Sequence, residues 1–206
     1  MSIVHFITHP EVVIDPAIPV PDWPLSPVGR KRMRRAVLEQ PWLRDVRALF
    51  SSAERKARDA AAIIAEHLPL RAAVIEGLGE NDRSATGYLP RPEFEAVADE
   101  FFASPQQAVR GWERAVDAQC RIVAAVERAI ALAPAEGDIV IVSHGGVGAL
   151  LLCHLKGVPI ARTEDQPGSS GIPEGTHLRM NGPKKMMAGG TRATSPRSTS
   201  NETQSV

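Results

Sequence analysis

With 206 residues and 24 basic against 24 acidic side chains, the chain is long enough for one full core. It carries no global field that would draw it to nucleic acid or anionic lipid. No apolar run approaches the roughly 20 residues that span a bilayer, and the opening MSIVHFITHP is too short and broken for a secretory leader. The two cysteines, Cys120 and Cys153, fall in apolar helical patterns and read as small buried hydrophobes in a reducing compartment, so the expected location is cytoplasmic.

Ser2 to Thr8 is a β-rich run stopped by Pro10. Pro16, Pro19, Pro21 and Pro24 make the next stretch a loop. Ser26 reads as an N-cap with Pro27 at the first helical position, and a helix is predicted to about Glu39. A second strand is expected at Val46 to Phe50 and a helix from about Ser52 with Ala57, Ala60, Ala61, Ile64 and Leu68 on one side. Arg71 to Ile75 reads as a third short strand, and Glu76 to Arg91 as loop. Helices are predicted at Pro92 to Phe102 and Gln107 to Leu132. The second has Val109, Trp112, Val116, Val123, Val126 and Ile130 as its core-facing stripe. Asp138 to Ser143, apolar throughout its centre, suits a parallel strand covered on both faces, with a helix following at Val147 to Leu155.

Strands alternating with helices of this length argue for an α/β fold: a doubly wound, mainly parallel sheet with helices on both faces, over residues 1–163. Residues 164–206, rich in Gly, Ser, Thr and Pro, show almost no aliphatic periodicity. They read as a disordered tail, leaving the domain without a final strand and with an open sheet edge.

In open parallel sheets, ligands bind beyond the carboxyl ends of the strands. Three polar groups fall at such ends: Thr8-His9-Pro10, Ser51-Ser52 and Ser143-His144-Gly145-Gly146. The last puts exposed backbone amides, Gly145 among them, at a helix N-terminus, which favours an anion. The basic run from Arg30 to Arg35 has no interleaved aromatics and reads as the solvent face of a helix. His5, His67 and His154 are read as packing residues, and no close-spaced ligand pair points to a metal.

Five segments, FITHP, DWPLSPVGRKRM, LFSSAERKARDAA, LGEND and IVIVSHGGVGALLL, occur in the order of motifs found in the histidine phosphatase superfamily, which includes the cofactor-dependent phosphoglycerate mutases. The chain resembles that family over about residues 2–160. The resemblance implies that His9 attacks phosphorus to give a phosphohistidine and that His144 donates a hydrogen bond to the transferring oxygens. Glu80 would protonate the leaving oxygen, with Asp82 a competitor for that role. No metal or organic cofactor is implied.

Thr8 stands where the family has an arginine, Pro10 where it has a glycine, and Lys56 where it has a second arginine. Thr8, Lys56, Arg58 and Gly145 are therefore the expected phosphate contacts, and Arg55, Arg30 and Arg83 are other sources of positive charge. An arginine fork grips phosphate oxygens bidentately, whereas lysine is a point charge and threonine is neutral. Two functions follow. One is a metal-independent phosphohydrolase for a small phosphorylated metabolite or phosphoprotein, a mutase being disfavoured by the lack of a long insertion. The other is a non-catalytic phospholigand-binding or regulatory protein on the same scaffold.

Overall fold

The computed structural model describes residues 2–38, 40–164 and 177–181. Five strands, β1 (Ile3–Thr8), β2 (Val46–Ser51), β3 (Ala73–Val74), β4 (Asp138–Ser143) and β5 (His177–Asn181), form one sheet in the order β3-β2-β4-β1-β5. The first four run parallel, and β5 pairs antiparallel with β1 along its length, Ile3 opposite Asn181 and Ile7 opposite His177. The helices are α1 (Pro27–Leu38), α2 (Arg55–Ala65), α3 (Arg91–Ala103), α4 (Ala115–Leu132) and α5 (Gly145–Lys156).

Alternation along β4 shows why the sheet is covered on both faces. Ile139 and Ile141 pack with Ile122, Val126, Val147 and Leu151 of α4 and α5. Val140 and Val142 pack with Met33, Val37, Ala57, Ile63 and Ile64 of α1 and α2. All six residues of β4 are buried, as a central parallel strand requires. The doubly wound architecture expected from the sequence is the architecture found. Among the described residues no helix is long and apolar enough to cross a membrane.

Three local expectations change. The helix expected from Gln107 begins instead at Ala115, because Arg110 and Gly111 take positive φ values of 49° and 81° and end a single 3₁₀ turn there. The buried stripe of α4 is then Ala115, Ala118, Ile122, Ala125, Val126 and Ala129, with Val116, Val123 and Ile130 only half-buried at its flank. Cys153 is buried, but Cys120 is exposed.

The third change concerns the tail. His177–Asn181 lies inside the stretch read as lacking structure, yet it forms β5 and covers the β1 edge expected to be open. Main-chain pairing on an existing edge needs no apolar periodicity, so HLRMN carried no signal. Residues 165–176 and 182–206 lie outside the described residues.

At the far end of the sheet from the strand tips, Asp138 joins the starts of β1 and β4. Its Oδ1 accepts the Ile3 amide at 3.0 Å, and its Oδ2 lies 3.0 Å from Nε2 of His5, a ring fully buried and stacked on Trp42. Asp138→Ala leaves both groups without that acceptor. The expected loss is about 1–3 kcal/mol, read as a lower urea midpoint at unchanged m-value.

Candidate active site

The strand register decides which side chains meet. Thr8 pairs with Ser143 and Ser51 with Val142, so β1, β4 and β2 end level with one another. The next amides continue the ladder: His9 N–H donates to Ser143 O at 3.1 Å, and Ser52 N–H to Val142 O at 3.0 Å. His9, Ser52 and His144 therefore emerge side by side at the carboxyl edge, where the sequence reading placed the site.

The rings of His9 and His144 stand T-shaped with centroids 5.1 Å apart. His144 is fully buried, while His9 keeps partial exposure. The Pro10 carbonyl is an acceptor 2.8 Å from His9 Nδ1, which puts the proton of the neutral ring on Nδ1 and leaves Nε2 as a free lone pair. Burial and the neighbouring His144 lower the His9 pKa to about 3, against the opposing pull of Pro10 and Glu80. Burial likewise lowers His144 to about 3, helped by Lys56, Arg83 and Arg121 and resisted by Glu54. Both rings are neutral at pH 7.

Glu80 reaches the site by capping α5. Its Oε2 accepts the Gly146 amide at 3.2 Å and its Oε1 the Val147 amide at 3.0 Å. The helix terminus read as an anion site thus already holds a carboxylate of the chain itself. A Cβ at Gly146 would lie 2.8 Å from Glu80 Oε1, so a side chain there would displace that carboxylate. Gly145, the first residue of α5, lies half-buried beside this contact. Asp82 is exposed and its Oδ1 accepts the Ser84 amide, so of the two acidic residues it is Glu80 that the fold carries to the histidines.

Two contributors had no sequence signal. Arg121 on α4 donates to the carbonyls of Gly77, Gly79 and Glu80 and forks onto Glu113, clamping the loop that carries Glu80. Glu54, just before α2, accepts the Glu80 amide at 2.7 Å on Oε1, and that same oxygen is 3.3 Å from His144 Nε2. Its Oε2 pairs with Lys56. Burial alone would raise the Glu54 carboxyl, but His144, Lys56 and the Glu80 amide outweigh it and hold it at about 2.

Lys56 is 2% exposed, and its ammonium also donates to Val20 O at 3.0 Å. Its side chain is buried, and its charge is committed to Glu54. Arg58, two residues on, lies about 200° round the helix from Lys56 and is exposed, so the structure does not bring it to the site. Arg30 pairs with Asp59 between α1 and α2. Arg83 sits 4.9 Å from the centre of the Phe94 ring, and its charge is felt at His144. Thr8, buried at the tip of β1, borders the site. Among the described residues no group of three or more His, Cys, Asp or Glu is placed to hold a metal ion.

A family model for the histidine phosphatase superfamily (branch 1) matches residues 17–170, with Thr8-His9-Pro10 ahead of the matched segment. No curated protein matches the chain. Among solved structures it is similar to Bacillus stearothermophilus YhfR, at 22% identity, 88% coverage of this chain, 91% of that one and a TM-score of 0.70. It is also similar to the mycobacterial glucosyl-3-phosphoglycerate phosphatase Rv2419c with inorganic phosphate, at 23% identity, 88% and 90% coverage and a TM-score of 0.68. A third, Mycobacterial hydrolase 1, has 22% identity, 86% and 90% coverage and a TM-score of 0.69. At these identities the likeness establishes the fold.

Proposed function

Because the chain belongs to the histidine phosphatase superfamily, whose members are enzymes of the phosphatase or mutase kind, we propose that it is a phosphohydrolase working through a phosphohistidine on His9. The observation that carries this reading is the pair of neutral imidazoles at the strand tips, with Nε2 of His9 left as a lone pair by its Nδ1 contact. Nε2 attacks phosphorus, a P–N bond forms, and the bond to the leaving oxygen breaks. Glu80 supplies the proton for that oxygen and then takes one from the water that cleaves the P–N bond, as microscopic reversibility requires. The His144 ring contacts the transferring group. No metal or organic cofactor enters these steps. The substrate is a small phosphorylated metabolite or a phosphoprotein, handled in the cytoplasm.

A second reading, a phospholigand-binding or regulatory protein without turnover, is favoured by one observation: the buried Lys56 is paired with Glu54 rather than free to clamp phosphate. Mixing of the protein with a radiolabelled aryl phosphate, without added metal and quenched in alkaline detergent, separates the two. The hydrolase forms an acid-labile, base-stable protein phosphate and releases inorganic phosphate. Binding without label or release, across a panel of phosphorylated metabolites, sinks the hydrolase and leaves the binding protein.

A further inference from the structure

A phosphoryl group needs cationic donors for its oxygens, and the two positions expected to supply them do not. Thr8 is neutral, and the Lys56 ammonium is engaged by Glu54 and Val20 O. We infer that Arg83 is the residue that grips the phosphoryl oxygens in their place. The inference rests on the phosphoryl site of the proposed function and supplies its guanidinium.

The other arginines near the strand tips are committed or point away. Arg30 is paired with Asp59, and Arg55 and Arg58 are exposed. Arg121 lies close but has nothing left to offer. Its Nε donates to Glu113, its Nη1 to Gly77 O and Gly79 O, and its Nη2 to Glu80 O and Glu113. That accounts for every N–H a guanidinium has.

Arg83 differs from all of these. Its charge reaches the pocket: beyond burial, the cations that lower the His144 pKa are Lys56, Arg83 and Arg121. Among the described residues Arg83 has no carboxylate partner; its contact is the ring of Phe94 on α3, 4.9 Å away at the centre. A ring carries no net charge, so it holds the side chain without neutralising it. The side chain is also half-buried, where its charge is screened less than on an open surface.

The loop holds Arg83 firmly. Its carbonyl accepts the amides of Thr86 at 3.2 Å and Gly87 at 3.0 Å, and Thr86 Oγ1 accepts Trp112 Nε1 at 2.8 Å. Trp112 in turn packs on Phe94, with ring centroids 5.9 Å apart. Backbone and guanidinium of Arg83 are therefore anchored on the same aromatic pair. The preceding Asp82 donates its amide to Glu113 Oε2 at 3.1 Å and accepts the Glu113 amide at 2.8 Å, and Glu113 is the carboxylate on which Arg121 forks. One scaffold thus fixes both Glu80 and Arg83. A donor fixed in this way needs no reorganisation as charge develops on the oxygens.

Inorganic phosphate is the probe, and its binding is measured by calorimetry for the full chain, for Arg83→Met and for Arg34→Met. Methionine keeps an apolar stem against Phe94 and removes the charge. Arg34, exposed and paired with Glu66 across α1 and α2, loses the same charge far from the strand tips. Arg83→Met should weaken phosphate binding on the order of tenfold to a hundredfold, the worth of a hydrogen bond to a charged group. Arg34→Met should change it by less than about twofold, since distant surface charge is screened. If Arg83→Met fails to fold, Arg83→Gln carries the same expectation. A loss short of about tenfold at Arg83 overturns the inference and leaves the phosphoryl site standing. Equal losses in the two variants also overturn it, because they would report net charge alone. Wild type that binds no phosphate overturns the phosphoryl site itself, and the role of Arg83 with it.

Discussion

His9→Ala is expected to abolish turnover of an aryl phosphate, by at least about 10⁴-fold, in a protein that still folds. The size of the effect follows from the site's composition. His144 cannot substitute as nucleophile, since its ring is fully buried and its Nε2 is engaged by Ser52 and Glu54. Removing a nucleophile deletes the covalent route altogether, whereas removing the acid at Glu80 should cost the smaller 10²–10⁴-fold typical of proton transfer. Folding is spared because the His9 backbone, not its ring, continues the ladder to Ser143. The side chain itself contributes one hydrogen bond to Pro10, about 0.5–1.5 kcal/mol. The measurement is phosphate release by both proteins at matched concentration, with circular dichroism confirming the fold. A variant keeping more than about 1% of wild-type activity would place the nucleophile elsewhere.

The strand tips were readable because the chemistry sits on local patterns. DIVIVS is apolar enough to be a buried parallel strand, and the histidine follows it at the strand-to-helix turn. The same held for FIT before His9 and for Ser51-Ser52 after β2. Contacts that depend on tertiary placement were not readable. Glu54 is an unremarkable acid two residues from a lysine until the fold lays it against His144, and Arg121 is one charge on an amphipathic helix until the Gly77–Glu80 carbonyls turn toward it. Lys56 entered only through its motif position, and nothing in the sequence pointed to its burial or to Glu54 as its partner. Helix α4 failed at its start because Val109 and Trp112 are core residues in helical spacing that the chain delivers from a 3₁₀ turn instead.

The two site histidines also predict an acid-sensitive fold. In the native state both have pKa values of about 3, whereas in the unfolded chain each returns to about 6.5. Below pH 6.5 the unfolded chain binds two protons that the folded chain refuses, so these groups favour folding above pH 6.5 and lose that contribution as pH falls toward 3. Each costs about 1.4 kcal/mol per pH unit in that window, so by pH 4.5 the pair removes about 5 kcal/mol. That is the whole stability of a marginal domain. Glu54 acts in the same direction at lower pH: its native value of about 2 means its contribution is full above about pH 4.5 and fades below it. Urea midpoints at pH 7, 6 and 5 should therefore fall steeply for wild type. His9→Ala, which deletes one of the two refused protons, should show a slope shallower by about 1.4 kcal/mol per pH unit and overtake wild type in stability near pH 5. Identical slopes for the two proteins would mean that His9 takes up its proton in the folded state, and the neutral nucleophile assigned to it would have to be withdrawn.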